Sequence, residues 1–169
     1  MAVLNPDHLL EQATRLLAPP PAGPPRQVDL RRAISSAYYA VFHFALTRAA
    51  DEIVGKTKRA TNLYPLVYRS VDHRAFKELC LEARKTTPAT KYVRFVPPNG
   101  FGKNIQAFAT AVVDLQERRH TADYDPSMLV RTSDATLAVQ TAKSAMVRFD
   151  KASQPRKKAF LTLMLFAPR

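Results

Sequence analysis

The sequence predicts an all-α protein, an up-and-down bundle of five or six helices. Apolar residues recur every three or four positions along most of the 169 residues. Strand-like alternation is confined to Tyr92–Val96, inside a stretch rich in proline and glycine. Hydrophobic residues make up 46% of the chain, enough for one core, which excludes global disorder. A chain of this length forms a single domain over residues 1–169, with a proline-rich connector at 18–25 and a basic loop at 86–102.

Asp7 is placed to cap a first helix running to about Leu17, with Leu9, Leu10, Ala13, Leu16 and Leu17 on one side. The prolines at 19–21, 24 and 25 end it, because proline lacks the amide donor and restricts its predecessor. The clearest element starts at Gln27 or Asp29 and lasts to about Val54. Leu30, Ile34, Ala37, Val41 and Ala45 form its apolar stripe, and Tyr38, Phe42 and Leu46 broaden it, so more than one neighbour covers it. Ala33, Ser36, Ala37 and Ala40 let another helix approach closely, and Gly55 suits the end. One helix or two short ones follow over 63–85, with Asp72 as a restart point and Phe76, Leu79, Cys80 and Ala83 inward. The basic loop at 86–102 leaves room for a short strand or an extended packed segment at 92–96. Helical period resumes over 104–120 through Ile105, Phe108, Ala111, Val112 and Leu115, then breaks at Tyr124-Asp125-Pro126. Ser127 or Ser133 opens the next helix, whose inward set is Ala138, Thr141, Ala142, Ala145 and Phe149. Pro155 starts the last, through Phe166 or Ala167. Its density of apolar residues fits core closure, docking of a second subunit, or a membrane-surface helix beside Arg156, Lys157 and Lys158.

Lys and Arg number 26 against 14 Asp and Glu, a formal charge of +12. The excess is concentrated: eleven basic against five acidic side chains over 31–86, and eight against two over 126–169. Such a balance suits a polyanionic partner, or simply a solvated basic surface. No basic start followed by an apolar core opens the chain, and no apolar stretch is long enough to span a bilayer, which points to the cytoplasm and away from a membrane. Cys80 is the sole cysteine, excluding an internal disulfide and any multi-cysteine metal site. The histidines at 8, 43, 73 and 120 lack the spacing of a metal site, and no glycine-rich phosphate loop occurs. No metal or cofactor is therefore expected.

Two clusters carry chemistry. Arg32, Ser36, Tyr39 and His43, at i, i+4, i+7 and i+11, line one side of the long helix, joining a phosphate fork, a stacking ring and a proton carrier. An internal polar seam accounts for them equally well. The second runs from Asp114 through Glu117, Arg118, Arg119, His120 and Asp123 to Tyr124. Asp114 and Arg118 are spaced to pair, as are Glu117 and His120. A structural Asp123–Arg network, polyanion contact and acid–base chemistry all fit this composition.

The segment Arg31-Arg32-Ala-Ile-Ser-Ser-Ala-Tyr-Tyr-Ala-Val-Phe-His43 resembles the signature second helix of the HEPN family, the higher eukaryote and prokaryote nucleotide-binding domains. The leucine pair at 9–10, Asp72-His73, and Arg119 with Ala122-Asp123-Tyr124 are similar to flanking pieces of uncharacterised bacterial members, over about residues 7–149. The resemblance implies a HEPN-like bundle that forms a homodimer, binds RNA or a nucleotide, and works in a toxin–antitoxin or defence module with a protein partner such as an antitoxin. The binding residues expected on this basis are Arg31, Arg32, Tyr39, His43, Arg118, Arg119 and Tyr124. Many members are metal-independent endoribonucleases whose motif is an arginine followed, after four to six residues, by a histidine. Here His120 directly follows Arg119, no histidine comes later, and Tyr124 stands where that histidine belongs. Nuclease activity would then need His43 or His120 in its place. The alternatives are a non-catalytic binder and a structural partner docking through its terminal helix.

Overall fold

The computed structural model describes residues 3–168. Among them every regular element is helical: α1 (Pro6–Leu16), α2 (Gln27–Ile53), α3 (Leu63–Tyr68), α4 (His73–Ala83), α5 (Thr90–Val93), α6 (Gly102–Tyr124), α7 (Thr132–Asp150) and α8 (Gln154–Leu165), with one 3-10 turn at Lys56–Lys58. Eight α-helices replace the expected five or six. The region 63–85 divides because Asp72 caps a new helix, its carboxylate accepting from the Ala75 amide at 2.7 Å. The basic loop contains α5, so Tyr92 and Val93 are helical and the strand considered there does not form. The cap of α1 also moves: Asn5 accepts from the Asp7 amide at 3.0 Å, and Pro6 rather than Asp7 opens the helix. Likewise Arg131, not Ser127 or Ser133, precedes α7.

α2 is the central element, packing against α1, α3, α6, α7 and α8. Its apolar positions surround the axis, and Leu30, Ile34, Ala37, Tyr38, Val41, Phe42, Ala45 and Leu46 are all buried. Ala33, Ser36, Ala37 and Ala40 are buried too, as close helix approach requires. Gly55 follows with φ of 97°, the left-handed backbone that glycine adopts without Cβ strain. α4 lies along α6 in the opposite sense. Gln116 donates to the His73 carbonyl at the start of α4, and Gln106 donates to the Lys85 carbonyl just past its end.

α8 closes the core. Phe160 is fully buried, its ring within 6.5 Å of those of Phe76, Phe101, Phe108 and Phe149, and Leu161, Leu163 and Met164 are buried with it. Of the three readings of the terminal helix, core closure accounts for these four side chains, while Phe166 stays exposed at the end. Among the described residues no helix is long and apolar enough to cross a membrane.

Candidate functional site

The two sequence clusters come together where α2 runs beside the C-terminal half of α6. Ser35 donates to Asp123 at 2.5 Å, and Arg119 Nη2 donates to the Tyr39 hydroxyl at 2.9 Å. The guanidinium of Arg119 lies over the rings of Tyr38, Tyr39 and Tyr124, at 5.4–5.9 Å from their centroids. Its Nε sits 3.2 Å from the Asp123 carboxylate, close enough for charge attraction but misaligned for a hydrogen bond. Burial opposes its charge. The Tyr39 hydrogen bond and the facing Tyr39, Asp123 and Tyr124 outweigh that and hold its pKa above the ordinary value. Arg119 is therefore a fixed cation, its side chain only 13% exposed, within an aromatic nest.

Two imidazoles complete the nest. His73, from the first turn of α4, bonds through Nδ1 to the Tyr38 hydroxyl at 2.8 Å and lies 4.0 Å centroid to centroid from Phe42. His43 bonds through Nδ1 to the Tyr68 hydroxyl at 2.8 Å and faces Tyr39 at 6.2 Å. Burial lowers the pKa of both. His73 adds to the effect on His43, while Arg119 adds to it on His73 against a smaller opposing pull from Asp72. Both rings are thus neutral near pH 7. Burial also pushes the Tyr38 hydroxyl far above its usual range, which fixes it as a hydrogen-bonding group and not a base.

Solvent reaches the nest from two sides. A cleft of about 340 Å³ between α4 and α6 is lined by Lys77, Gln116, Glu117, Arg119, His120 and Thr121. An aromatic cleft of about 410 Å³, lined by His43, Tyr64, Pro65, Tyr68 and Arg69 among others, opens at α3. A larger groove between α1, α2 and α7, about 560 Å³, does not include Arg119, and its Arg48 is paired with Asp150 at 2.8 Å.

The expected binding residues have unequal standing. Tyr39, His43, Arg119 and Tyr124 belong to the nest. Arg31 does not: its guanidinium donates to the carbonyls of Ala122, Asp125, Pro126 and Met128, clamping the end of α6 and the turn after it. Such a commitment is structural and removes Arg31 as a free phosphate contact. Arg118 is bound to Asp114 at 2.8 Å, as its spacing predicts. Arg32 is exposed, and no hydrogen bond or ion pair among the described residues links it to α6. The expected Glu117–His120 pair is replaced: Glu117 meets Lys77 at 3.2 Å, and the His120 ring packs on Tyr124 at 4.9 Å. Ser36 is buried, and it is its neighbour Ser35 that makes the hydrogen bond with α6. His73 was not among the expected site residues. Its sequence signals are the Asp72 cap and the Asp72-His73 likeness to a flanking segment, which place it at a helix start without saying what it faces.

Among the described residues no group of three or more His, Cys, Asp or Glu side chains is gathered as a metal site. Comparison with known proteins returns no matching family profile, curated protein or solved structure.

Proposed function

We propose that this is a HEPN-like protein that binds RNA or a nucleotide at the Arg119 nest, acting as a homodimer in a toxin–antitoxin or defence module of the cytoplasm. The observation that carries the binding reading is the Arg119 guanidinium, held by Tyr39 and Asp123 at the edge of an open cleft in a chain of charge +12. A planar cation fixed in this way suits a phosphate, and the exposed Tyr124 ring offers a surface to a base. The remaining elements of the reading rest on the Arg31–His43 resemblance. Titration of fluorescent single-stranded RNA by anisotropy tests it. Wild type is expected to bind with affinity that falls steeply as salt rises, and Arg119→Ala, shown to be folded by circular dichroism, to bind at least tenfold more weakly. Equal binding by the two proteins removes the nest from the reading.

A second reading, metal-independent RNA cleavage, is favoured by one observation: His43 and His73 both pack on Tyr39, over which the Arg119 guanidinium lies, and burial lowers the pKa of each imidazole, so each is able to take a proton as a neutral base. Cleavage in excess EDTA that is lost on Arg119→Ala and on His43→Ala or His73→Ala supports it. Absence of cleavage leaves the binding reading alone.

A further inference from the structure

The connection between α4 and α6 holds an exposed basic surface that the Arg119 nest does not use. Residues 84–103 contain Arg84, Lys85, Lys91, Arg94 and Lys103 and no acidic residue. Buried Tyr92 anchors α5 to the core, and on either side of it the surface is open: Val93 is 51% and Phe95 45% exposed. The Arg94 guanidinium lies 4.7 Å from the Phe95 ring centroid, and the Lys91 ammonium 5.2 Å from that of Tyr92. The nearest carboxylate is already engaged, since Glu82 takes Lys85 at 2.5 Å and the Ala89 amide at 2.9 Å. Among the described residues Arg84, Lys91, Arg94 and Lys103 form no ion pair.

The position of this surface relative to the nest gives it meaning. α4 connects them: its end is bound to Gln106 and its start to Gln116, about 15 Å apart along α6 at 1.5 Å per residue. The cleft bearing Lys77, Arg119 and His120 opens at the Gln116 end. We propose that the Lys91–Phe95 surface is a second contact for single-stranded nucleic acid, with an unpaired base stacking on Phe95 and the phosphates of the same strand on Lys91, Arg94 and their neighbours. The inference rests on the nucleic-acid reading above and deepens it, making the ligand a strand long enough to lie along α4, in place of a mononucleotide. An exposed ring beside a guanidinium suits a base with a free face, which a continuous duplex does not present. A membrane surface calls for a broader apolar face than Val93 and Phe95 supply.

The test uses the full chain, a fluorescently labelled twenty-nucleotide oligouridylate and a blunt duplex of equal length, with affinities measured from 50 to 200 mM salt. Phe95→Ala is expected to weaken oligouridylate binding about tenfold or more. Lys91→Ala/Arg94→Ala is expected to weaken it and to reduce the magnitude of the slope of log K against log salt by about 1.4. Duplex binding should respond much less to Phe95→Ala. Lys91, Arg94 and Phe95 are exposed, so circular dichroism of those variants should match wild type, and Arg119→Ala is compared only where its spectrum does too. If oligouridylate binds, Arg119→Ala weakens it and the 91–95 variants do not, the second contact is refuted and the nest reading stands. If only the 91–95 variants weaken it, the surface stands and the nest reading falls. No binding by wild type overturns both. Binding to phosphatidylcholine vesicles with 30% phosphatidylserine that Phe95→Ala abolishes, beside unchanged RNA affinity, refutes the inference in favour of a membrane contact.

Discussion

Replacing Arg31 with alanine tests whether the clamp on the end of α6 holds the bundle together. The side chain donates to Ala122 at 3.0 Å, Asp125 at 2.8 Å and Pro126 at 3.3 Å, and also to Met128. These acceptors include carbonyls that α6 leaves unpaired and those of the turn leading to α7. A hydrogen bond from a charged donor contributes about 1.5–3 kcal/mol, and a cation at a helix C-terminus about 0.3–1 kcal/mol. The four contacts do not add, because one guanidinium makes them all and the carbonyls lie where water can replace it. The net loss should be about 2–3 kcal/mol, a fall in Tm of about 4–12 °C for a chain of this size. Urea and thermal unfolding followed by circular dichroism measure it. Arg32→Ala, one position along on the exposed side, is the control and should stay within about 0.5 kcal/mol of wild type. If Arg31→Ala matches that control, the clamp contributes nothing and the reassignment of Arg31 from ligand contact to structural tie fails.

Further outcomes follow from the same geometry. Phe160→Ala empties a fully buried site ringed by Phe76, Phe101, Phe108 and Phe149 and should cost about 3–5 kcal/mol in urea unfolding, whereas Phe166→Ala, at an exposed position, should cost under about 0.5 kcal/mol. Gly102 has φ of 72°, and a Cβ there would fall 2.5 Å from Arg156 Nη1, displacing the side chain that bonds to the Gly100 carbonyl. Gly102→Ala should lower stability by about 1–2 kcal/mol, and an unchanged urea midpoint would count against that strain. His43 and His73 have folded pKa values below the ordinary 6.5, so below that pH the unfolded chain binds protons first. Their contribution to stability is complete above about pH 6.5 and declines as the pH falls towards the folded values. The urea midpoint should therefore drop from pH 7.5 to 5, with a shallower drop in His43→Gln/His73→Gln; equal slopes would show that the imidazoles are not buried in their neutral form.

The helical class and the central role of α2 were legible because both are written in periodicity, a property of neighbouring residues in the chain. The apolar stripe from Leu30 to Ala45, the small residues at 33–40 and the glycine after Val54 all reappear in the folded helix. The subdivision at Asp72 was readable as a cap. The four-residue turn α5 was not, since it is too short to show a helical period and depends on Tyr92 reaching the core. The site divided in a similar way. Asp114 and Arg118 pair as their spacing predicts because both contacts lie on one helix face, whereas Glu117 prefers Lys77 of α4, a partner that no local pattern indicates.

By itself the sequence determined a helical chain with a strongly basic surface, a closely packed central helix, and an Arg/His/Tyr composition in two segments. Those are consequences of side-chain size, charge and repeat length, which act over a few residues. Only the tertiary structure decided that Arg31 is bound to carbonyls while Arg32 remains free of α6, that His73 joins the nest, and that the terminal helix fills the core. One residue of rotation on a helix changes a side chain's direction by about 100°, so what each group meets depends on how distant helices pack.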